Sequence, residues 1–287
     1  MEVAFFQDDG VHLAGDIFLP DGEPVASVAV CPGFRGTRRG GSSMVLAERL
    51  VSSLGWAVLL FDYTGFGTSG GTRGRFDPEQ QVHDIGAAVS YLLHRHPGRP
   101  VSLYGNSFGA GMATTAAARD PRVASLFSLC AFSSGAELLA DGRPHWQLVE
   151  LYEALENDRL ARADSGVSRD VDPDWIMARD PEAAAYIARL AAAGKADRTM
   201  MHVADAERLT AFRPIAEAHR LRGRPTRFAH CERDFFIPAR HSQALAGAAA
   251  GELVIFKGYG HYAIYEGEPQ EVLFRDAVDF YRRVIAI

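Results

Sequence analysis

Hydrophobic and polar positions alternate at the start of the chain, over residues 2–7 and again over 11–19, with the turn signal Asp8-Asp9-Gly10 between the two runs. A period of two broken by such a turn predicts an antiparallel β-hairpin. The pattern then changes. Residues 26–31, 56–62, 101–105, 123–131, 226–231 and 253–256 are short, largely continuous apolar runs, most followed by glycine-rich or polar punctuation. Runs of this kind predict strands buried on both faces. Between them, residues 42–54, 78–96, 107–119, 238–250 and 269–285 have helical spacing or composition, several with proline in or near the first turn, where its missing N–H is tolerated. Alternating strands and helices predict an α/β fold, a mostly parallel sheet with helices on both faces. Ligands in such sheets bind at the carboxyl ends of the strands.

One stretch breaks the alternation. Residues 135–214 contain no convincing buried strand, only helical and charged sequence carrying Trp146, Tyr152, Trp175 and the pair Met200-Met201. The chain therefore reads as one sheet domain, residues 1–134 and 215–287, interrupted by a helical insertion. Because it lies between two strands, the insertion is expected to serve as a lid (cap) over their carboxyl ends; the alternative is an appendage with its aromatics in a private core. As a lid, it makes Trp146 and Trp175 candidates to line a substrate pocket.

Composition narrows the function classes. The 287 residues are 47% hydrophobic and 23% charged, the usage of an ordinary globular protein, with a net charge of −6. That balance argues against nucleic acid or an anionic membrane as a partner, since both select clustered positive charge. No positively charged start leads into an apolar stretch, and no apolar run is long enough to span a bilayer, so a cytoplasmic location is expected. Cys31, Cys130 and Cys231 are odd in number and too widely spaced for a zinc knuckle. They read as small buried hydrophobes in a reducing compartment, and no metal site is expected. Oligomeric state is not legible in the pattern, and a homodimer stays open.

The chemistry concentrates in the turn after residues 101–105. Gly105-Asn106-Ser107-Phe108-Gly109 follows an apolar strand and opens a small-residue helix. A serine between two glycines at such a turn is held on a sharp, strained bend with its hydroxyl above the sheet edge. A serine needs a base to take its proton, and the base needs an acid to orient it. Asp234 lies in the loop beyond the 226–231 strand, just before Pro238, and His261 lies in a glycine-flanked loop after the 253–256 strand. Either residue alone is ordinary, a turn aspartate or a surface histidine. Their joint placement on the sheet edge of Ser107 makes Ser107, Asp234 and His261 the catalytic candidates. Glu232 is the rival acid, nearer its strand and expected to point elsewhere. Backbone donors for an oxyanion are expected from Phe108, after the nucleophile, and from Phe34 in Pro32-Gly33-Phe34-Arg35-Gly36. Arg35 reads either as a surface charge or as a group reaching toward an anionic substrate.

With these residues the sequence resembles the α/β-hydrolase superfamily over nearly everything except residues 135–214. The matching segments are Cys31-Pro32-Gly33-Phe34-Arg35-Gly36, the loop from Phe61-Asp62 to Gly70-Gly71, the turn around Ser107, the Glu232 to Pro238 loop and Gly260-His261. Members commonly carry His-Gly in the oxyanion loop, where this chain has Pro32-Gly33. The resemblance implies a serine hydrolase without a cofactor, acting on a small-molecule acyl substrate such as an ester or thioester. The hairpin and the 62–71 loop are similar to the dienelactone-hydrolase-like, acyl-peptidase-like and X-Pro-peptidase-like branches. Acyl transfer and carbon–carbon hydrolysis use the same residues on this fold and remain alternatives, while a ligand-binding protein with a dead site fits an intact residue set poorly.

Overall fold

The computed structural model describes residues 1–40, 42–177, 181–192 and 199–285. The opening hairpin pairs β1 (Glu2–Phe6) with β2 (His12–Phe18), antiparallel. The apolar runs become β3 (Ser27–Cys31), β4 (Ala57–Phe61), β5 (Val101–Asn106) and β6 (Val123–Leu129), with β9 (Thr226–Cys231) and β10 (Glu252–Phe256) after the insertion. They join in one eight-stranded sheet, ordered β1-β2-β4-β3-β5-β6-β9-β10 and parallel from β4 to β10. The hairpin attaches antiparallel through β2 on β4. After β4 the chain crosses β3 and builds the other half of the sheet from β5 onward. This reversal between neighbours β3 and β5 opens a crevice at their carboxyl ends.

Alternation within the buried strands divides the core in two. Ala29, Cys31, Leu59, Phe61, Leu103 and Phe228 face one layer, while Val28, Val30, Val58, Leu60, Tyr104 and Ala229 face the other. The second layer is closed by α1 (Ser43–Leu54) and α11 (Gly267–Ile285), and the first by α2 (Pro78–Arg95), α3 (Phe108–Arg119) and α10 (Arg240–Ala249). Asp77 caps α2, accepting from the amides of Glu79 and Gln80, with Pro78 at the first helical position. Strand β9 departs from a purely apolar run: Arg227 is buried in it, its guanidinium answered by Glu252 and Asp276, and His230 is buried as well.

The insertion holds α4 (Gly135–Asp141), α5 (His145–Ser165), α6 (Pro173–Ile176), α7 (Pro181–Ala192) and α8 (Val203–Ala211), and the sheet domain resumes near α9 (Pro214–Glu217). It leaves and returns at one point, where Gly135 N–H donates to Phe212 and Ile215 N–H donates to Ser133. Unlike the strand-free reading, it includes an antiparallel ribbon of β7 (Asp170–Val171) and β8 (Met201–His202). Two-residue strands are too short for periodicity to reveal. Nor does the insertion keep a private core. Its Leu138, Leu151, Ile176, Met201 and Leu209 belong to the same apolar cluster as the first face of the sheet. Cys31, Cys130 and Cys231 are free thiols and buried. No helix among the described residues is long and apolar enough to cross a membrane.

Candidate active site

Ser107 sits between β5 and α3 with φ of 56° and ψ of −120°, a backbone conformation that a side-chain-bearing residue adopts only under constraint. The constraint is packing around the flanking glycines. A Cβ on Gly105 would lie 2.5 Å from Ala110 Cα, and one on Gly109 would collide with the carbonyl oxygens of Cys31 and Pro32. The serine N–H is tied to Leu129 of β6 at 2.8 Å. Close packing of strand ends against α3 thus presents the hydroxyl over the crevice between β3 and β5.

From that hydroxyl a hydrogen-bonded chain runs inward. Ser107 Oγ is 3.0 Å from His261 Nε2, and His261 Nδ1 is 2.6 Å from Asp234 Oδ2. The three residues come from the loops after β5, β10 and β9, and all are buried. Burial pushes the Asp234 pKa up, but the charge of His261 and the hydrogen bonds from His230 and His261 outweigh it and hold the carboxyl below the usual carboxylate range. Its other oxygen accepts the amides of Phe236 at 3.0 Å and Ile237 at 2.7 Å. An ionised Asp234 accepts from Nδ1–H, which leaves the Nε2 lone pair toward the serine O–H.

The rival acid lies elsewhere. Glu232 is exposed and braces its own turn, accepting from Lys257 Nζ at 2.9 Å and Gly258 N–H at 2.9 Å. Phe34 lies beside the nucleophile. Its loop closes as a tight turn, Gly36 N–H donating to Gly33 at 2.9 Å with Arg35 at φ of 56°, and the Phe34 amide takes no part in that bond. The turn passes directly over Ser107, since a Cβ on Gly33 would lie 3.7 Å from its Oγ. Phe108 is the first residue of α3, where helix amides have no intrahelical partner. The Phe34 and Phe108 rings meet at 4.8 Å between centroids.

Arg35 is not the surface charge its loop position allowed: its guanidinium nitrogens are shielded from solvent within the turn. Trp146 is 60% exposed at the start of α5. Trp175 is half-buried against the core with the Arg169 guanidinium over its ring, 5.7 Å from the centroid. No described contact joins either tryptophan to Ser107.

The structure adds residues that sequence reasoning passed over. His230, buried within β9, donates from Nε2 to the Ile237 carbonyl at 2.7 Å and lies 3.4 Å from Asp234, while its Nδ1 accepts from Ser242. A histidine inside an otherwise buried strand, four residues before the acid, was the available signal. Tyr265 donates to the Asn106 side chain, tying the loop after His261 to the turn before Ser107. Cys130, His230 and Asp234 lie close enough to suggest a cation site, but the Asp234 oxygens are already taken by two amides and His261.

A family description, serine aminopeptidase S33, matches residues 22–268. The chain belongs to this family of α/β hydrolases. Among its relatives, the quorum-quenching protein AidA of Acinetobacter baumannii is 28% identical over 290 residues, covering 98% of this chain and 94% of that protein. The thiohydrolase aneE of Aspergillus aculeatus is 33% identical over 133 residues, covering 45% of this chain and 41% of that protein. Solved structures share the fold: DcsB in complex with its substrate analogue has a TM-score of 0.85 at 20% identity, covering 99% of each chain. The α/β hydrolase GrgF from Penicillium sp. sh18 has a TM-score of 0.83 at 22% identity, covering 100% of this chain and 99% of its own.

Proposed function

We propose that this hydrolase cleaves a carboxylic ester or thioester of a small molecule through an acyl-enzyme intermediate. The observation that carries the reading is the unbroken chain from Ser107 on its strained turn through His261 to an Asp234 held ionised. In the mechanism, Ser107 Oγ attacks the carbonyl carbon as its proton passes to His261 Nε2. Asp234 orients the ring and stabilises the imidazolium. The Phe34 and Phe108 amides hold the oxyanion, and His261 returns the proton to the leaving alcohol or thiol. A water deprotonated by His261 then releases the acid and regenerates the serine. The thiohydrolase relative supports including thioesters.

A second reading is acyl transfer, in which the same residues pass the acyl group to an alcohol or amine in place of water. The test is a panel of p-nitrophenyl esters, lactones, acyl thioesters and aminoacyl anilides, with and without added acceptors. The reading expects an acyl adduct on the intact protein and free acid from esters or thioesters. Turnover of anilides alone contradicts it, and acyl-acceptor products in place of acid favour transfer.

A further inference from the structure

The loop that carries His261 is held from outside the sheet domain. Helix α7 of the insertion places Glu182, Tyr186 and Arg189 at helical spacings of four and three, and therefore on one side. All three meet the His261 loop. One Glu182 oxygen accepts the backbone N–H of His261 at 3.1 Å, and the other accepts those of Tyr262 at 3.0 Å and Ala263 at 2.9 Å. Tyr186 stacks on Tyr262 with 4.4 Å between centroids, and Arg189 pairs with Glu266 at 3.2 Å. Gly260 completes the fit, since a Cβ there would strike the Glu182 carboxylate.

Three consecutive backbone N–H groups aimed at one carboxylate fix the path of the loop immediately at the base. Charge-assisted hydrogen bonds of this kind are the stronger ones, and Glu182 is half-buried where they form. The other supports of His261 come from the sheet domain, through Asp234 and through Tyr265 on Asn106. Among the described residues, α7 is the element through which the insertion reaches this loop. We infer that Glu182 is a positioning residue through which the docked insertion sets His261 for proton transfer, so that full activity requires α7 seated on the loop. This rests on the proposed role of His261 and adds a coupling between insertion and base.

Glu182→Ala removes the carboxylate, and the nearly isosteric Glu182→Gln keeps the volume but removes the charge and one acceptor. Because misplacing a catalytic group by about 1 Å costs up to roughly 100-fold, kcat on p-nitrophenyl acetate is expected to fall between about 10- and 100-fold. KM stays close to wild type, and the low-field proton resonance of the His261–Asp234 hydrogen bond broadens. Tyr186→Ala shows a smaller loss in the same direction. If Glu182→Ala does not fold, Glu182→Gln still decides the matter. Wild-type kcat with an unchanged resonance in the folded Glu182 variants, or a loss confined to KM, overturns the inference. Ser107→Ala is measured alongside: activity surviving there breaks the proposed mechanism itself, whereas an inert Ser107→Ala with fully active Glu182 variants breaks only the coupling.

Discussion

Two of the serine–histidine–aspartate chains among the described residues invite comparison, and their differences separate chemistry from scaffolding. One is Ser107–His261–Asp234. In the other, Ser133 Oγ lies 2.7 Å from His241 Nδ1, and His241 Nε2 lies 2.9 Å from Asp141. Residue types and distances are nearly the same, and both serines and both histidines are buried. Yet the Ser133 amide also donates to His241 Nδ1 at 3.2 Å, so that nitrogen is already an acceptor in the backbone's own bonding. Ser133 lacks the left-handed strained conformation of Ser107 and does not open a helix. Its carbonyl instead accepts from Ile215 at the root of the insertion. The second chain pins α4 of the insertion, through Asp141, to α10 of the sheet domain. A nucleophile needs the forced bend and the adjoining oxyanion amides as well as the hydrogen-bonded partners.

Substitution at matched positions tests this contrast. The largest effect is expected from Ser107→Ala, which should lower kcat for a p-nitrophenyl ester by on the order of 10⁴-fold or more while the protein stays folded. Ser133→Ala should keep nearly wild-type turnover and lose about 1 kcal/mol of stability in denaturant titration. Similar activity losses in the two would erase the distinction. At the acids, Asp234→Asn is expected to cost roughly 10³- to 10⁴-fold in kcat by presenting the wrong partner to the His261 ring. Asp141→Asn should leave kcat alone and destabilise by about 1–3 kcal/mol, as the buried His241 exchanges a charged acceptor for a neutral one.

The smallest effect is one of pH. Burial lowers the pKa of His241, with Asp141 pulling the other way. A histidine whose folded pKa lies below its unfolded value of about 6.5 contributes stability above that pH and loses it as the pH falls. Removing the Asp141 charge lowers the folded pKa further. The difference in melting temperature between wild type and Asp141→Asn should therefore widen as pH is lowered from 7 to 5. A constant or shrinking gap would show that His241 is not the group responsible. Asp84 has the opposite sign: burial pushes its pKa up to about 6, so its contribution is present at acid pH and lost as pH rises through that value. Running the series in an Asp84→Asn background sharpens the reading.

The sheet strands were legible because burial on both faces writes itself into short apolar runs, and the first chain was legible because each member follows one of those strands. The second chain was not legible, because the pairing of His241 with Ser133 and Asp141 depends on how the insertion packs. Glu182 left no local signal at all, since its meaning comes from a loop far along the chain. Asp234 and Glu232 were separable in sequence only by their distance from the strand. What distinguishes them physically is the Lys257 and Gly258 contact that occupies Glu232. For Arg35 the sequence left a surface charge and a substrate contact open, and loop composition does not reveal that its guanidinium is shielded from solvent. Trp146 is exposed and Trp175 packs against the core, a difference that helical composition does not reveal.

The central claim is that one serine of these two chains is a nucleophile and the other a structural tie. Reaction with a fluorophosphonate followed by peptide mass spectrometry tests it directly, because the reagent reports an activated serine whatever the natural substrate. The account predicts a single stoichiometric adduct on Ser107, absent in Ser107→Ala and unaffected by Ser133→Ala. An adduct on Ser133, or none on Ser107 in the folded wild-type protein, would contradict it.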